Sequence, residues 1–185
     1  MEKRGADVYA IDIDSSEETG FNIAKQILDS KVKFTQESVY NLTKIFEKDF
    51  FDIVCFTGVY YHLKNPILAL EKIADILKLK GKMLLSGELL ISSVHDLSGN
   101  ESHDKKFQEV FETNIPLSAC YPGEMIYNGR PGEIYYVPNL ACLKSWLKIT
   151  GFNLETFDIH HNSKTKIGVN QRMTGVAQKI VKRKK

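Results

Sequence analysis

Short apolar runs rich in β-forming residues alternate with helical patterns along this 185-residue sequence, and this alternation is the feature that most limits its fold. The runs cover residues 7–13, 32–34, 52–57 and 82–91. A strand that is followed by a helix returns to the same sheet as a parallel strand through a right-handed connection. The third run is apolar almost throughout, as expected for a strand that is covered on both faces. The sequence therefore predicts an α/β fold with a mostly parallel sheet and helices on both of its faces.

Helix signals lie between these runs. Ser15 and Ser16 are typical helix caps, and the helix that follows them would bury one apolar face, formed by Phe21, Ala24, Ile27 and Leu28. Asn65 caps a second predicted helix, with Pro66 in its first turn. The Lys-Gly pair at 80–81 is expected to end that helix, because glycine is common just after a helix terminus.

The second half of the sequence changes in character. Residues 92–133 are polar with scattered Gly and Pro, which predicts an irregular insertion or lid with one helix at 104–112. A helix and an antiparallel pair of strands are predicted after it, at 139–150, 154–160 and 173–181. Residues 179–185 form a basic tail, which is either a solvated terminus or a contact for RNA phosphates. We expect residues 1–185 to form a single domain.

Composition excludes several functional classes. The 25 Lys and Arg against 23 Asp and Glu leave a net charge of +2, which excludes a strongly basic nucleic-acid-coating protein but not a local RNA contact. No apolar stretch approaches the about 18 residues of a membrane helix, and the amino terminus has no apolar signal core. The three cysteines are too few for a disulfide framework or a four-ligand zinc site. We therefore expect a cytoplasmic protein with no membrane partner and no metal.

The ends of the predicted strands carry the candidate ligand-binding residues, since ligands of parallel sheets bind beyond the carboxyl ends of the strands. Asp12 and Asp14 lie at the end of the first run. A carboxylate in this place accepts hydrogen bonds from a ribose diol, and it equally favours the amino terminus of the next helix. The residues alone leave both roles open for Asp12 and favour capping for Asp14.

A second group of candidates follows the third strand, in the segment 57–62 (TGVYYH). Its glycine, Gly58, allows a ligand to approach the backbone closely, and its polar aromatic residues are typical of a ligand-binding wall. Glu88 lies inside the fourth apolar run, where a carboxylate needs either a partner or a function. These residues predict a binding site, although a purely structural histidine is the common alternative for His62.

Several of these segments resemble the class I S-adenosylmethionine-dependent methyltransferases. The resemblance covers strand-like residues 8–14 (VYAIDID), 52–57 (DIVCFT) and 79–85 (LKGKMLL). A narrower resemblance, to the family of tRNA wobble-uridine methyltransferases and carboxymethyltransferases, includes residues 58–66 (GVYYHLKNP) and 135–139 (YYVPN). It implies a Rossmann-like sheet in the order 3-2-1-4-5-7-6.

The resemblance also implies roles for individual residues. The cofactor-binding residues would be Asp12 at the ribose, with Ile13, Ser38, Val39, Thr57 and Gly58. Ser38 stands where the family often has an acidic residue beside the adenine. Tyr61 and His62 would line the transfer site, with His62 as the proton acceptor. Glu88 and Arg172 would bind substrate, because Arg172 matches an arginine that binds the extra carboxylate of a carboxylated cofactor.

The first strand of the family and its glycine-rich turn have no counterpart in this sequence. Without this central strand, a gap of about two strand spacings of ~4.8 Å would separate the strands that end at Asp12 and Thr57. Three outcomes are possible: these two strands pair directly, another chain fills the gap, or the natural protein is longer. A homodimer or a second chain that completes the sheet is therefore one expectation.

The functional hypothesis is an S-adenosylmethionine-dependent transferase of methyl or carboxymethyl groups. Its cofactor would be S-adenosylmethionine or a carboxylated derivative, and its acceptor would be tRNA or, alternatively, a small molecule. A rival hypothesis from another class is a catalytically inactive binding or assembly module, or a fragment of a longer enzyme.

Overall fold

The computed structural model describes residues 1–90, 94–95, 101–102, 105–127, 130–161 and 171–181. The chain divides into two compact units, Met1–Glu47 and Lys48–Lys185. Each unit is described by itself below. The expectation of a single domain stays a prediction.

The amino-terminal unit contains a two-stranded parallel sheet. Strand β1 (Tyr9–Asp12) pairs with β2 (Lys33–Gln36), and Asp12 lies opposite Gln36 in the register. Helix α1 (Phe21–Ile27) connects the two strands, and the short helix α2 (Leu42–Ile45) follows them. This β-α-β unit confirms the first two predicted strands and their parallel arrangement.

Helix α1 begins later than predicted, and its apolar face is not buried. The Ser15 hydroxyl accepts a hydrogen bond from the Glu18 amide at 3.2 Å, and the Glu18 carboxylate accepts one from the Ser15 amide at 3.0 Å. This reciprocal pair stabilises a turn, whereas the helix itself starts after Gly20, which has a φ of 70°. Ile27 is 76% exposed. The prediction that Ser15 and Ser16 cap this helix was therefore wrong, because their turn ends before the helix begins.

The carboxy-terminal unit is built on a four-stranded sheet in the order β3-β4-β10-β9. Its strands are β3 (Phe51–Thr57), β4 (Leu77–Glu88), β9 (Phe152–His161) and β10 (Gln171–Lys179). Strands β3 and β4 are parallel, and β10 runs antiparallel to both of its neighbours, β4 and β9. The parallel part and the terminal antiparallel pair are both as predicted.

Strand β3 differs from its prediction in two respects. Its partner is β4, whereas β1 belongs to the other sheet, so direct pairing of the Asp12 and Thr57 strands is not the outcome found. The strand is also not covered on both faces, because Ile53 is 47% exposed and Cys55 is exposed. Among the described strands, β3 lies at the edge of its sheet and pairs with β4 alone. Completion of the sheet by a second chain stays a prediction.

Two helices of this unit begin after an asparagine cap, and the cap at Asn65 confirms the prediction. Asn65 precedes α3 (Pro66–Ile76) and accepts a hydrogen bond from the Leu68 amide at 3.0 Å. Asn139 precedes α5 (Leu140–Ile149) in the same way. Helix α3 ends at Ile76 rather than near residue 80, since Leu77 already belongs to β4.

The insertion is more regular than predicted. It contains the short pair β5 (Val94–His95) and β6 (Glu101–Ser102), helix α4 (Lys105–Phe111), and an antiparallel pair of long strands, β7 (Ser118–Tyr127) and β8 (Arg130–Pro138). The helix confirms the prediction at 104–112, but the long hairpin replaces the irregular segment. The Asn128-Gly129 dipeptide, typical of two-residue hairpin turns, is the sequence signal for it.

Lys179 does not belong to a solvated basic tail. Its side chain is buried, and its ammonium group donates hydrogen bonds to the Asp49 carboxylate at 2.8 Å and to the Leu77 carbonyl. Burial of a charge is tolerated only with such partners, so this lysine fixes the end of β10. Ile180 and Val181 of the predicted tail are exposed, and residues 182–185 lie outside the described residues. In the part of the chain that is described, no helix is both long and apolar enough to cross a membrane.

Asn139 is a fully buried polar residue in the core of the carboxy-terminal unit. Its carbonyl oxygen accepts hydrogen bonds from the amides of Cys142 at 2.9 Å and Leu117 at 3.0 Å. Its amide nitrogen donates to the carbonyls of Phe111 at 3.2 Å and Ile115 at 2.9 Å. Asn139 thus joins the cap of α5 to the segment that follows α4.

We predict that Asn139→Ala lowers the free energy of unfolding by about 3 kcal/mol, because it removes four hydrogen bonds to backbone groups, one of them buried and three partly buried. The matched variant Asn65→Ala removes an exposed cap of the same kind and should cost about 1 kcal/mol. Urea unfolding of both variants measures the difference. Equal losses would show that the buried network around Asn139 adds nothing to a simple cap.

Candidate ligand site at the ends of the parallel strands

Strands β3 and β4 end at the same edge of the sheet. Thr57 lies opposite Ser86, and the next amide, that of Gly58, donates to the Ser86 carbonyl at 2.8 Å. Gly58 has a φ of 74°, a conformation that favours glycine. The chain turns there and forms a single 3-10 turn, Tyr60–His62. The predicted aromatic segment therefore lies at the carboxyl end of a parallel strand.

The antiparallel strand β10 brings a third chain segment to this edge. Its register places Arg172 directly opposite Glu88, the last residue of β4. The Arg172 Nε donates to Glu88 Oε1 at 3.1 Å, and its Nη2 donates to the Tyr61 hydroxyl at 2.7 Å. Tyr61, Glu88 and Arg172, which are far apart in sequence, thus form one hydrogen-bonded cluster. We call these three residues the Arg172 cluster.

Tyr60, the residue before Tyr61, packs against the end of β4 next to this cluster. Its ring is 1% exposed, and its hydroxyl donates to the backbone carbonyl of Glu88. The ring packs against Gly87 so closely that a Cβ atom at this position would lie 2.3 Å from Tyr60 Cε1. Gly87 is therefore the residue that allows a tyrosine to lie under the end of β4.

Burial sets the protonation states within the cluster. The Glu88 side chain is 12% exposed, and its Oε2 is buried with no hydrogen-bond partner among the described residues. Desolvation raises the pKa of Glu88, although the hydrogen bond and charge of Arg172 oppose the shift. Desolvation also raises the pKa of Tyr61, again against the charge of Arg172. Tyr61 therefore keeps its proton at neutral pH, and its O–H can donate to a ligand while its oxygen accepts from Arg172.

His62 contacts the hairpin of the insertion. Its Nδ1 is hydrogen-bonded to the backbone carbonyl of Glu133 on β8. A carbonyl only accepts, so Nδ1 carries the proton and Nε2 is the basic nitrogen of the neutral ring. The ring lies 4.1 Å from that of Tyr61, measured between centroids. The geometry is thus compatible with a proton acceptor at Nε2.

The predicted nucleoside-binding residues lie in the amino-terminal unit. Asp12 is exposed at the end of β1, and its Oδ1 accepts a hydrogen bond from the Asp14 amide at 3.1 Å. Ile13 is exposed beside it. The exposed carboxylate and its neighbouring apolar side chain have the chemistry of a contact to a ribose diol.

The loop after β2 is held by its own side chains. The Ser38 hydroxyl accepts from the Tyr40 amide at 3.3 Å, and Glu37 Oε1 accepts from the Ser38 amide and from Asn41 Nδ2. These hydrogen bonds cap the 3-10 turn Val39–Asn41. The adenine-binding roles of Ser38 and Val39 stay predictions.

The described residues include no group of three or more His, Cys, Asp or Glu side chains that could hold a metal ion. The imidazole of His160 contacts the Thr174 hydroxyl, with 2.9 Å between Nε2 and Oγ1. His103 lies outside the described residues.

Comparison with known proteins agrees with this architecture. Residues 1–85 match the profile of a methyltransferase domain family. The tRNA U34 carboxymethyltransferase of Helicobacter pylori (strain ATCC 700392 / 26695) is 27% identical over 141 residues, which are 75% of this chain and 44% of that relative. The protein of the same name from Desulforapulum autotrophicum is 28% identical over 105 residues, 57% of this chain and 25% of that protein. The chain thus spans less than half the length of these curated relatives.

Solved structures have the same fold. A methyltransferase described as S-adenosylmethionine-dependent, from Methanosarcina mazei, superposes with a TM-score of 0.63 over 97% of this chain and 84% of its own, at 17% identity. The 1,6-didemethyltoxoflavin-N1-methyltransferase of Burkholderia thailandensis, solved with bound S-adenosylhomocysteine, gives 0.61 over 96% of this chain and 63% of its own, at 16% identity. The chain has a methyltransferase-type fold.

Within the methyltransferase-type fold, the predicted site residues fall into two groups. Thr57, Gly58, Tyr61, Glu88 and Arg172 lie together at one edge of the carboxy-terminal sheet, with His62 beside Tyr61. Asp12, Ile13, Ser38 and Val39 belong to the amino-terminal unit. The geometry brings the members of the first group together, and the binding roles of both groups stay predictions.

Sequence reasoning missed the structural residues that support this candidate site. Tyr60 was grouped with the ligand wall, but it is buried and bonds to the backbone. The signal for its role is Gly87, because a glycine inside an apolar strand often marks the close approach of another group. The pairing of Glu88 with Arg172 has no local signal, since it depends on the register of β10.

We predict that Gly87→Ala destabilises the protein by about 2 kcal/mol, because the added methyl group overlaps the buried Tyr60 ring. Tyr60→Leu removes the ring edge that the methyl group meets, so Gly87→Ala should cost much less in the Tyr60→Leu background. Urea unfolding of the single and double variants measures this coupling. Strictly additive losses would mean that Gly87 does not accommodate Tyr60.

Proposed function

We propose that this chain binds S-adenosylmethionine or a carboxylated derivative and transfers a methyl or carboxymethyl group to an acceptor in tRNA. The observation that carries the proposal is the Arg172 cluster at the carboxyl ends of β3 and β4. The methyltransferase-domain match over residues 1–85 and the names of the curated relatives support the cofactor and the substrate class.

The residues present fit such a cofactor chemically. Asp12 offers an exposed carboxylate for a ribose diol, and the positive φ of Gly58 leaves backbone open to a ligand beside Tyr61. An added Cβ at Gly58 would stand 3.8 Å from the Tyr61 hydroxyl. When bound, the cofactor supplies a carbon activated by positive sulfur, so the protein's main tasks are positioning and electrostatics.

Arg172 favours the carboxylated form of the cofactor. Its side chain is 50% exposed, so guanidinium N–H groups that do not bond to Glu88 or Tyr61 can reach a ligand. Guanidinium groups bind carboxylates through paired, charge-assisted hydrogen bonds. The Tyr61 O–H provides a further donor in the same place. Arg172 and Tyr61 together thus have the chemistry of a carboxylate-binding pair.

His62 is the proposed proton acceptor for the tRNA base. Its Nδ1–H is held by the Glu133 carbonyl, so Nε2 can take a proton from an acceptor with an acidic N–H or O–H. The hairpin that holds His62 belongs to the insertion, which we infer to contact the acceptor. A tRNA acceptor is consistent with the cytoplasmic location expected from the sequence.

Cofactor binding can be tested by calorimetric titration with S-adenosylhomocysteine. Asp12→Asn should weaken binding about tenfold, because it removes the charge that the ribose hydroxyls bond to. Asp14→Asn is the matched control: the contact recorded for Asp14 at this site is made by its backbone amide, so the change in affinity should stay below about twofold.

The same titration separates the enzyme from its rival. A folded wild-type protein that produces no binding heat would contradict the proposal and favour an inactive binding or assembly module. Equal weakening by Asp12→Asn and Asp14→Asn would place the ribose elsewhere.

The acceptor class can be tested separately. We expect bulk tRNA to bind, and its affinity to fall by about tenfold or more between roughly 50 and 200 mM salt, because phosphate contacts release counterions. Filter binding at several salt concentrations measures the slope. Absence of tRNA binding by a protein that binds S-adenosylhomocysteine would favour the small-molecule acceptor.

A further inference from the structure

Glu88 has an incomplete set of hydrogen bonds for an ionised carboxylate. Its Oε1 accepts from Arg172 Nε, whereas its Oε2 is buried without a partner among the described residues. An ionised carboxylate oxygen that is buried in this way is costly, and protonation removes that cost. The titratable groups recorded around Glu88 are Arg172 on β10 and Tyr60 and Tyr61 of the 3-10 turn. Of these, Arg172 alone carries a charge that stabilises the ionised form.

A ligand carboxylate on Arg172 would compete for that stabilisation. Glu88 occupies the Nε side of the guanidinium and Tyr61 accepts from Nη2, so an anion would bind the remaining Nη hydrogens on the outer side. Two hydrogen bonds of about 2.8 Å on opposite sides of the guanidinium place the two carboxylates about 6 Å apart. Two like charges at that distance near a protein surface weaken binding by about tenfold or more.

We propose that Glu88 makes the site distinguish the two forms of the group-donating cofactor (the donor) by their charge. The carboxylated donor binds Arg172 while Glu88 takes up a proton, whereas the uncarboxylated donor binds without proton uptake. Glu88 is thus a positioning and specificity-determining residue that acts through Arg172. This inference rests on the proposed function, because it concerns the donor that binds the Arg172 cluster.

The sign of the effect follows from the charges. With Glu88 protonated, the Glu88–Arg172 pair has a net charge of +1 and favours an anionic ligand. As the pH rises, Glu88 ionises, the pair becomes neutral, and the preference for the carboxylated donor falls. Glu88→Gln retains an oxygen that accepts from Arg172 Nε but cannot ionise, so its preference should not change with pH.

The test is calorimetric titration with S-adenosylmethionine and its carboxylated derivative between about pH 5 and about pH 8. The measured quantity is the ratio of the two dissociation constants, which a merely structural loss would leave unchanged. In the wild type, the preference for the carboxylated ligand should fall as Glu88 ionises, by about tenfold or more between its protonated and its ionised form. In Glu88→Gln it should stay constant at the value that favours the carboxylated ligand. Glu155→Gln is the control. It removes a carboxylate of strand β9 that pairs with Lys82 of β4, and this variant should behave as the wild type.

A second measurement needs no variant, and it decides the question if Glu88→Gln does not fold. Titration of the wild type in buffers of different ionisation enthalpy should show proton uptake with the carboxylated ligand and none with S-adenosylmethionine. A pH-independent ratio in the wild type, equal weakening of both ligands by Glu88→Gln, or no difference in proton uptake would overturn the inference while the proposed function stands. Absence of binding of either ligand to the folded wild type would overturn both.

Discussion

The pairing of the antiparallel strand β10 with β4 is the constraint on which the candidate site depends. Parallel strands β3 and β4 alone would place Gly58, Tyr61 and Glu88 at one edge, but without a cation. Because β10 runs in the opposite direction, its first residues meet the last residues of β4, and Arg172 falls opposite Glu88. A slip of one residue would turn the arginine to the other face of the sheet. The register is held at the far end of β10 by Lys179, whose buried ammonium group bonds to Asp49 and Leu77.

The site edge is also held from inside the sheet. The buried Tyr60 ring fills the space that a side chain at Gly87 would occupy, and its hydroxyl satisfies the Glu88 carbonyl, which is the last one of β4. The adjacent residue, Tyr61, then carries the polar group that faces Arg172. Consecutive tyrosines in one 3-10 turn therefore have different tasks: one stabilises the strand end and the other presents a phenol.

Local patterns in the sequence predict much of this fold, whereas contacts between residues far apart in the sequence could not be predicted. The cap at Asn65 could be predicted because a cap bonds to an amide three residues away, and the structure shows the same local pattern at Asn139, where a helix was predicted to start. The sequence analysis did not predict the long hairpin β7–β8, and it placed the start of α1 too early. Both features depend on turns, which the polar composition of these segments does not reveal. The burial of Lys179 could not be read from a run of basic residues, because its partners lie 130 and 102 residues away. Candidate residues at strand ends could be named from topology, whereas the contact between Glu88 and Arg172 depends on a register that the sequence does not specify.

The choice of arginine at position 172 follows from the geometry of its partners. The Arg172 side chain donates hydrogen bonds to the Glu88 carboxylate and to the Tyr61 hydroxyl. In the proposed function it would also need N–H groups left for a ligand. The planar guanidinium has five N–H groups in a fixed arrangement, whereas an ammonium group has three that share one nitrogen. A lysine at this position would bond to Glu88 or to Tyr61 and would leave no fixed pair of donors for a ligand carboxylate. In the proposed function, a ligand carboxylate would share Arg172 with Glu88, and their charges would be coupled because both compete for the same cation. The proposed selectivity for a carboxylated cofactor would therefore depend on the whole Arg172 cluster rather than on the arginine alone.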